Sequence, residues 1–290
     1  MVAATLDAPA PSHLLSRLWR HARRHPTIAV GLVLLVALVA MALLAPWLTG
    51  DPLKHASINR LRPPSQRFWF GTDQFGRDVF ARTIHGARVS LVVGLSVAAL
   101  ASLIGLVIGL ACGFYRWLDA IVMRIMDGIM AIPSILLAIA LITLARPGLA
   151  VVIVAILIPE IPRVVRLVRA VVLGIRGQPY IEGAIAGGTR GVKLLVRHVL
   201  PNTVAPLIVQ ATYVSASAIL TEAALSFLGA GVPPETPSWG NIISQGRTFF
   251  QIAPWSILIP GGFLALTVLA VNLLGDGLRD RLDPRLARRM

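Results

Sequence analysis

Apolar runs dominate the chain and alternate with short polar connections. Six blocks stand out: 28–48, 89–114, 120–145, 149 to about 173, about 202 to 228, and about 253 to 274. Each is long enough to cross a hydrocarbon core of ~30 Å, which takes ~20 residues at ~1.5 Å rise per residue. The pattern predicts six transmembrane helices and an all-α membrane protein. The first block looks like a signal core, with Ala40-Met41-Ala42 resembling a cleavage site. Against that, the polar segment before it is long and Leu43 to Trp47 continue the apolar run, so it reads as an uncleaved anchor.

The connections differ in character. Residues 49–88 form a polar loop rich in turn formers, 116–119 a short polar turn, and Arg146-Pro147-Gly148 a tight turn. Residues 180–202, YIEGAIAGGTRGVKLLVRHVLPN, form a longer polar and basic interruption. Pro179 suits a first helical position and Glu182 the first turn, where the positive end of a helix favours a carboxylate. Gly187-Gly188 predicts the end of that helix, and Thr189 a hydroxyl cap for a second one. In the second helix Val192, Leu195, Val196 and Val199 share one face, opposite Arg190, Lys193 and Arg197, with only Leu194 intruding.

Composition agrees with a membrane domain: 56% of the 290 residues are hydrophobic and 14% charged, with mean hydropathy +0.77. The net charge of +14 comes from arginine clusters flanking apolar blocks, without the aromatic interleaving of a nucleic-acid groove. Nucleic acid is therefore not an expected partner, whereas membrane lipid is. Six spans put both termini on one side, and the basic clusters at 17–24, Arg116, 163–197 and 279–289 place that side in the cytosol. Lys54, Arg60, Arg62, Arg67, Arg77, Arg82 and Arg88 oppose this assignment, since they fall in or beside the extracytoplasmic 49–88 loop. The resulting division is a cytosolic 1–27 segment, a span at 28–48, the 49–88 loop, a five-helix core over 89–274 containing the 180–202 loop, and a cytosolic 275–290 tail.

Candidate chemistry is sparse. Lys54 and Lys193 are the only lysines, and neither completes a phosphate-cradling Gly-Lys-Ser/Thr loop. There is no HExxH or GxSxG pattern, and Cys112 alone makes neither a disulfide nor a cysteine metal site. His21 and His25 have helical metal spacing but read as part of a cationic juxtamembrane segment; no catalytic residue or metal ligand is assigned. Charges at membrane depth are functional candidates because a lone charge in hydrocarbon is costly. Asp127 stands one turn from Arg124, and Glu160 one turn from Arg163, each spaced for an ion pair. Glu222 has no such neighbour and is expected to face the interior or a watery path. These three are the candidates for a translocation path.

At this point the residues match a family. The 180–202 loop resembles the EAA loop of ABC-importer permeases, with Glu182, Gly183 and Ala184 in the Glu-Ala-Ala positions, Gly188 four residues on, and Val199-Leu200-Pro201 at the end. Gly183 departs from the usual alanine. Glu222-Ala223-Ala224 is a literal but misplaced copy, inside a span and without the following Leu-Pro. The stretches GTDQFGRD (71–78), EAALSFLGAG (222–231), PPETPSWG (233–240) and GDGLRDRLDPR (275–285) resemble the dipeptide/oligopeptide branch.

The resemblance implies a type I ABC importer permease fold in the bacterial inner membrane. It also implies a heterodimeric partnership with a second homologous permease, one or two cytosolic ATPases that bind ATP and Mg, and an extracytoplasmic substrate-binding protein. Tyr180, Glu182, Gly183, Ala184, Gly188, Arg197, Leu200 and Pro201 are the implied ATPase-coupling residues. Gly71, Thr72, Asp73, Gly76, Arg77 and Asp78, with Pro237, Ser238, Trp239 and Gly240, form the implied extracytoplasmic motif loops. Peptide is the implied cargo; nickel, glutathione or antimicrobial peptides are alternatives, and a stand-alone secondary transporter is the more distant one. No cofactor is expected in this chain, nor is enzymatic activity of its own.

Overall fold

The computed structural model describes residues 26–146 and 148–282. The predicted arginine cluster at 17–24, the His21/His25 spacing and the arginines at 285–289 lie outside the described residues. The described chain is helical: α1 (Pro26–Leu48), α2 (Val79–Phe114), α3 (Arg116–Met130), α4 (Ser134–Thr143), α5 (Leu149–Arg176), α6 (Pro179–Ala186), α7 (Gly191–Leu194), α8 (Leu200–Phe227), α9 (Trp239–Gly246) and α10 (Trp255–Leu282). A π turn, Leu195–Val199, joins α7 to α8 without a gap. The sole β pairing among the described residues is an isolated bridge between Thr72 and Asp78.

Four of these helices are long and apolar enough to cross a membrane: α1, α2, the continuous α7–α8 rod and α10. The third predicted span is instead two helices, α3 and α4, bent by 87°. Pro133 is the cause, since it lacks the N–H that would continue the ladder and disfavours helix in the residue before it; it sits at the N-cap of α4. The fourth predicted span, α5, is 28 residues long but carries Glu160, Arg163, Arg166 and Arg169. Its charges need protein partners rather than lipid.

Two boundaries move. α2 begins at Val79 rather than Val89, because Asp78 caps it by accepting from the Phe80 N–H at 3.0 Å and the first turns bury Ala81, Ile84 and Ala87. Burial pushes the Asp78 carboxyl up, against the opposing pull of the Phe80 and Ala81 N–H groups. At the other end, α10 continues through the start of the predicted tail to Leu282.

The core lies between α2, α5 and α8. Lipid tails are as apolar as leucine, so helices in a membrane associate through close packing, which small residues permit. Gly105, Gly109 and Gly113 form such a stripe on α2, facing Val164, Val168 and Val172 on α5. A Cβ at these glycines would lie 2.5 Å from Val164 Cγ1, 2.7 Å from Val168 Cβ and 2.5 Å from Val172 Cγ1 respectively. Three valines therefore seat where three side chains are missing.

Filling the stripe is expected to separate the two helices. Gly109→Val should destabilise the chain by about 1–3 kcal/mol through overpacking, seen as a lower melting temperature in detergent. Gly174→Ala, on α5 with open space around it, should leave the melting temperature nearly unchanged.

Candidate functional site

The 180–202 segment folds as a helix, a left-handed break and a second helix. Pro179 is at the first position of α6 and Glu182 lies in its first turn. The helix closes with the Gly188 N–H donating to the Ile185 carbonyl and the Thr189 N–H reaching back to Ala184, each at 2.9 Å. Gly188 has φ +86°, a conformation glycine adopts freely and β-branched residues resist. Ile181, fully buried, pins α6 over a cavity of about 200 Å³ lined by Phe114, Val172, Leu194 and Val199. Outward from that anchor, Tyr180 is 48% exposed, and Glu182, Gly183, Ile185 and Gly188 are exposed while Ala184 is half-buried.

The second helix differs from its prediction twice. Thr189 does not cap it; Arg190 takes the N-cap position without a side-chain bond, and Gly191 at φ +58° turns the chain. The buried residues are Leu194 and Val199, five apart, whereas Val192 and Val196 are 68% and 57% exposed. The π turn explains the change, because its i→i+5 pitch brings residues five apart onto one side where an α-helix would align i and i+4. Arg197 is exposed, Leu200 half-buried and Pro201 exposed at the start of α8.

Among the intramembrane candidates, Glu160 is buried and bound by Arg163 Nη1 at 3.0 Å, as its spacing predicts, and also accepts from Ser217 Oγ at 3.0 Å. Asp127 is exposed and pairs not with Arg124 but with Arg166 on α5, at 2.5 Å. Asp119, which the sequence reading left aside, takes Arg169 with both carboxylate oxygens. Glu222 is sealed from solvent, with Ser90 Oγ at 3.2 Å and Ser226 Oγ at 2.8 Å donating to it. It thus ties α2 to α8.

The 71–78 and 237–240 motif loops pack together at the N-terminal end of α2. Asp73 accepts from the Phe75 and Arg77 backbone N–H groups through Oδ1, and from Arg77 Nε at 2.6 Å and Arg82 Nη1 at 2.7 Å through Oδ2. Arg77 and Arg82 are both buried, and Arg77 reaches Gln245 in α9. Thr72 accepts from the Arg62 N–H and donates to the Asn59 carbonyl. Gly71 and Gly76 take φ near +70°, and a Cβ at Gly76 would fall 1.9 Å from the Ala56 carbonyl oxygen. From the other motif, Ser238 caps α9, the fully buried Trp239 donates to the Thr83 carbonyl at 3.0 Å, and Gly240 lies flat on Ala223 and Ser226. Pro237 is half-buried beside them. Asn241, absent from the sequence candidates, holds the loop by donating to Val232, Pro233 and Thr236 carbonyls.

The model of the binding-protein-dependent transport system inner membrane component matches residues 101–288, and that of the N-terminal transmembrane domain of oligopeptide transport permease C matches 13–64. A probable peptide ABC transporter permease of Sinorhizobium fredii is 57% identical over 270 residues, 93% of each chain. A dipeptide transport system permease of Alkalihalophilus pseudofirmus is 43% identical over 274 residues, covering 92% of this chain and 90% of its own. Among solved structures, the inward-facing MetNI methionine ABC transporter superposes with TM-score 0.51 at 22% identity, over 67% of this chain and 95% of that one, a likeness of fold.

Removing the Asp73 carboxylate leaves two buried guanidinium groups without their countercharge. Asp73→Asn is expected to cost about 3–5 kcal/mol, read as loss of folded chain and a lowered melting temperature. Arg67→Gln, on an exposed residue of the same loop, should leave both close to wild type.

Proposed function

The chain belongs to the family of binding-protein-dependent transport system inner membrane components, and on that premise we propose that it forms half of the membrane path of an ATP-driven peptide importer. Family membership makes it a multi-pass permease of the inner membrane and not a catalyst. In this reading six spans, α5 among them, place both termini in the cytosol. A second homologous permease completes the path, and an extracytoplasmic binding protein delivers di- or oligopeptides to it. One or two cytosolic ATPases bind ATP and Mg and hydrolyse the nucleotide.

The observation that carries this reading is the build of α6. Ile181 is buried as its anchor, while Tyr180, Glu182 and Ile185 are presented outward on a short rigid helix. That arrangement suits a helix seated in a groove of a partner, where apolar and acidic side chains make the contact without chemistry of their own. Closure of the ATPases then moves Glu182 to Pro201 as a unit. Through the uninterrupted π turn the movement reaches α8, and through the Gly177 link it reaches α5, so the path switches its open side. Peptide as cargo rests on the relatives' names.

Uptake of labelled peptide and ATP hydrolysis, measured together in vesicles holding the whole transporter, test the coupling. Gly188→Val forces a β-branched residue into left-handed backbone at a cost of about 1–2 kcal/mol; it is expected to lower uptake at least several-fold while leaving ATP hydrolysis in excess. Wild-type uptake per ATP in this variant would overturn the role of the loop. Gly183→Ala meets nothing within 4 Å and restores a better helix former, gaining up to about 1 kcal/mol, so its uptake should stay intact.

A further inference from the structure

A second charged feature lies beside the base of α6, apart from the exposed face of that helix. Where α2 ends, the chain turns through Tyr115 into α3, and the C-terminal end of α5 packs into the corner. A cleft of about 510 Å³ opens there, with Arg116, Arg169, Arg176 and Asp119 on its walls and Cys112 and Leu173 completing them. Three cations face one anion. Arg169 occupies both oxygens of Asp119, so that pair is internally neutral. Arg116 and Arg176 form no ion pair among the described residues. Arg176 makes only long contacts from Nη1, 3.4 and 3.5 Å, to the Gly113 and Phe114 carbonyls, and lies over the Phe114 ring.

The surroundings are those of a membrane boundary. The cleft lies at the very end of the apolar α2 span, and Tyr115 and Trp117 flank it at 42% and 67% exposure. Aromatic side chains collect where bilayer meets water, with the ring in the headgroup layer. Leu173, 44% exposed, adds an apolar wall. A guanidinium fork matches phosphate oxygens in pairs, and basic clefts between transmembrane helices take anionic headgroups.

We propose that this cleft binds a phosphate group, that of an anionic phospholipid, through Arg116 and Arg176, with the acyl chains lying along Leu173 and Trp117. Asp119 serves by holding Arg169 away from the ligand. Gly177 also lines the cleft and leads directly into α6, so an occupied headgroup bridges the α2–α3 corner to the foot of the 180–202 loop.

The test uses the full chain, purified with its copurifying subunits and equilibrated in bicelles of equal phosphatidylethanolamine and phosphatidylglycerol. Lipid retained after delipidation is then measured by mass spectrometry. Wild type is expected to retain phosphatidylglycerol over phosphatidylethanolamine by about thirty-fold, since each of the two arginines near an anionic lipid contributes roughly 1 kcal/mol. The double variant Arg116→Gln/Arg176→Gln should retain both lipids equally, while Arg124→Gln, on exposed α3 surface, should keep the preference. Unchanged enrichment in the double variant, at an unchanged melting temperature, overturns the site. Loss of enrichment in wild type on adding excess inorganic phosphate overturns the lipid as its source and assigns the cleft to free phosphate.

Discussion

One carboxylate, Asp73, holds two guanidinium groups out of solvent, and the segment before α2, the first turns of α2 and α9 are arranged around that contact. A buried cation is costly unless a countercharge lies beside it, and Asp73 supplies that charge although Nε and Nη2 of Arg82 find no acceptor among the described residues. Arg77 and Arg82 therefore constrain the loop that precedes α2 as firmly as an apolar core would. Arg82 belongs to the first turn of α2, and Arg77 reaches Gln245 in α9. The contact consequently couples the loop, α2 and α9. Trp239 and Trp255 extend the coupling by donating to carbonyls of Thr83 and Thr72. Positive charge in this region is thereby partly absorbed: Arg77 in the loop and Arg82 in α2 are internal, and Arg60 and Arg67 lie over the rings of Phe249 and Phe68.

Inside the bundle the same requirement takes a different form. α5 carries three arginines at intervals of three, and Glu160, Asp127 and Asp119 each take one. Two of those acids come from α3, so electrostatics fasten the bent α3–α4 pair to a helix that glycine–valine interlocking already fastens to α2. The close approach is steric and the cross-brace is ionic. Because the steric contact needs no desolvation of charge, it accounts for tight packing, whereas the exposed Asp127–Arg166 pair contributes little by itself.

Much of this was legible in the sequence, and the failures have physical causes. Apolar runs located α1, α2, α8 and α10, and the loop motif located α6, its glycine break and the exposed Glu182. The start of α2 was obscured because arginine in a turn reads as solvated, while Arg82 is internal. Asp127 was assigned a partner on its own helix because sequence spacing reports only local neighbours; Arg166 is thirty-nine positions away. Asp119–Arg169, Ser90, Ser217 and Asn241 escaped for the same reason. The stripe Gly105, Gly109, Gly113 was visible as a four-residue repeat, and reading it would have paired α2 with a helix offering valines at the same interval.

The π turn at Leu195–Val199 has a further consequence when regarded as a phase shift. Winding wider than an α-helix, it offsets the angular register of α7 from that of α8, so the outward aspect of the α7 residues is not inherited from α8. Leu194 and Val199 hold that offset from below. A helix relaxed to regular α pitch across these five residues would swing Val192 and Val196 away from their present outward aspect without breaking the rod. The orientation of this surface is thus set by the winding of one turn, separately from the length or tilt of the helix that carries it.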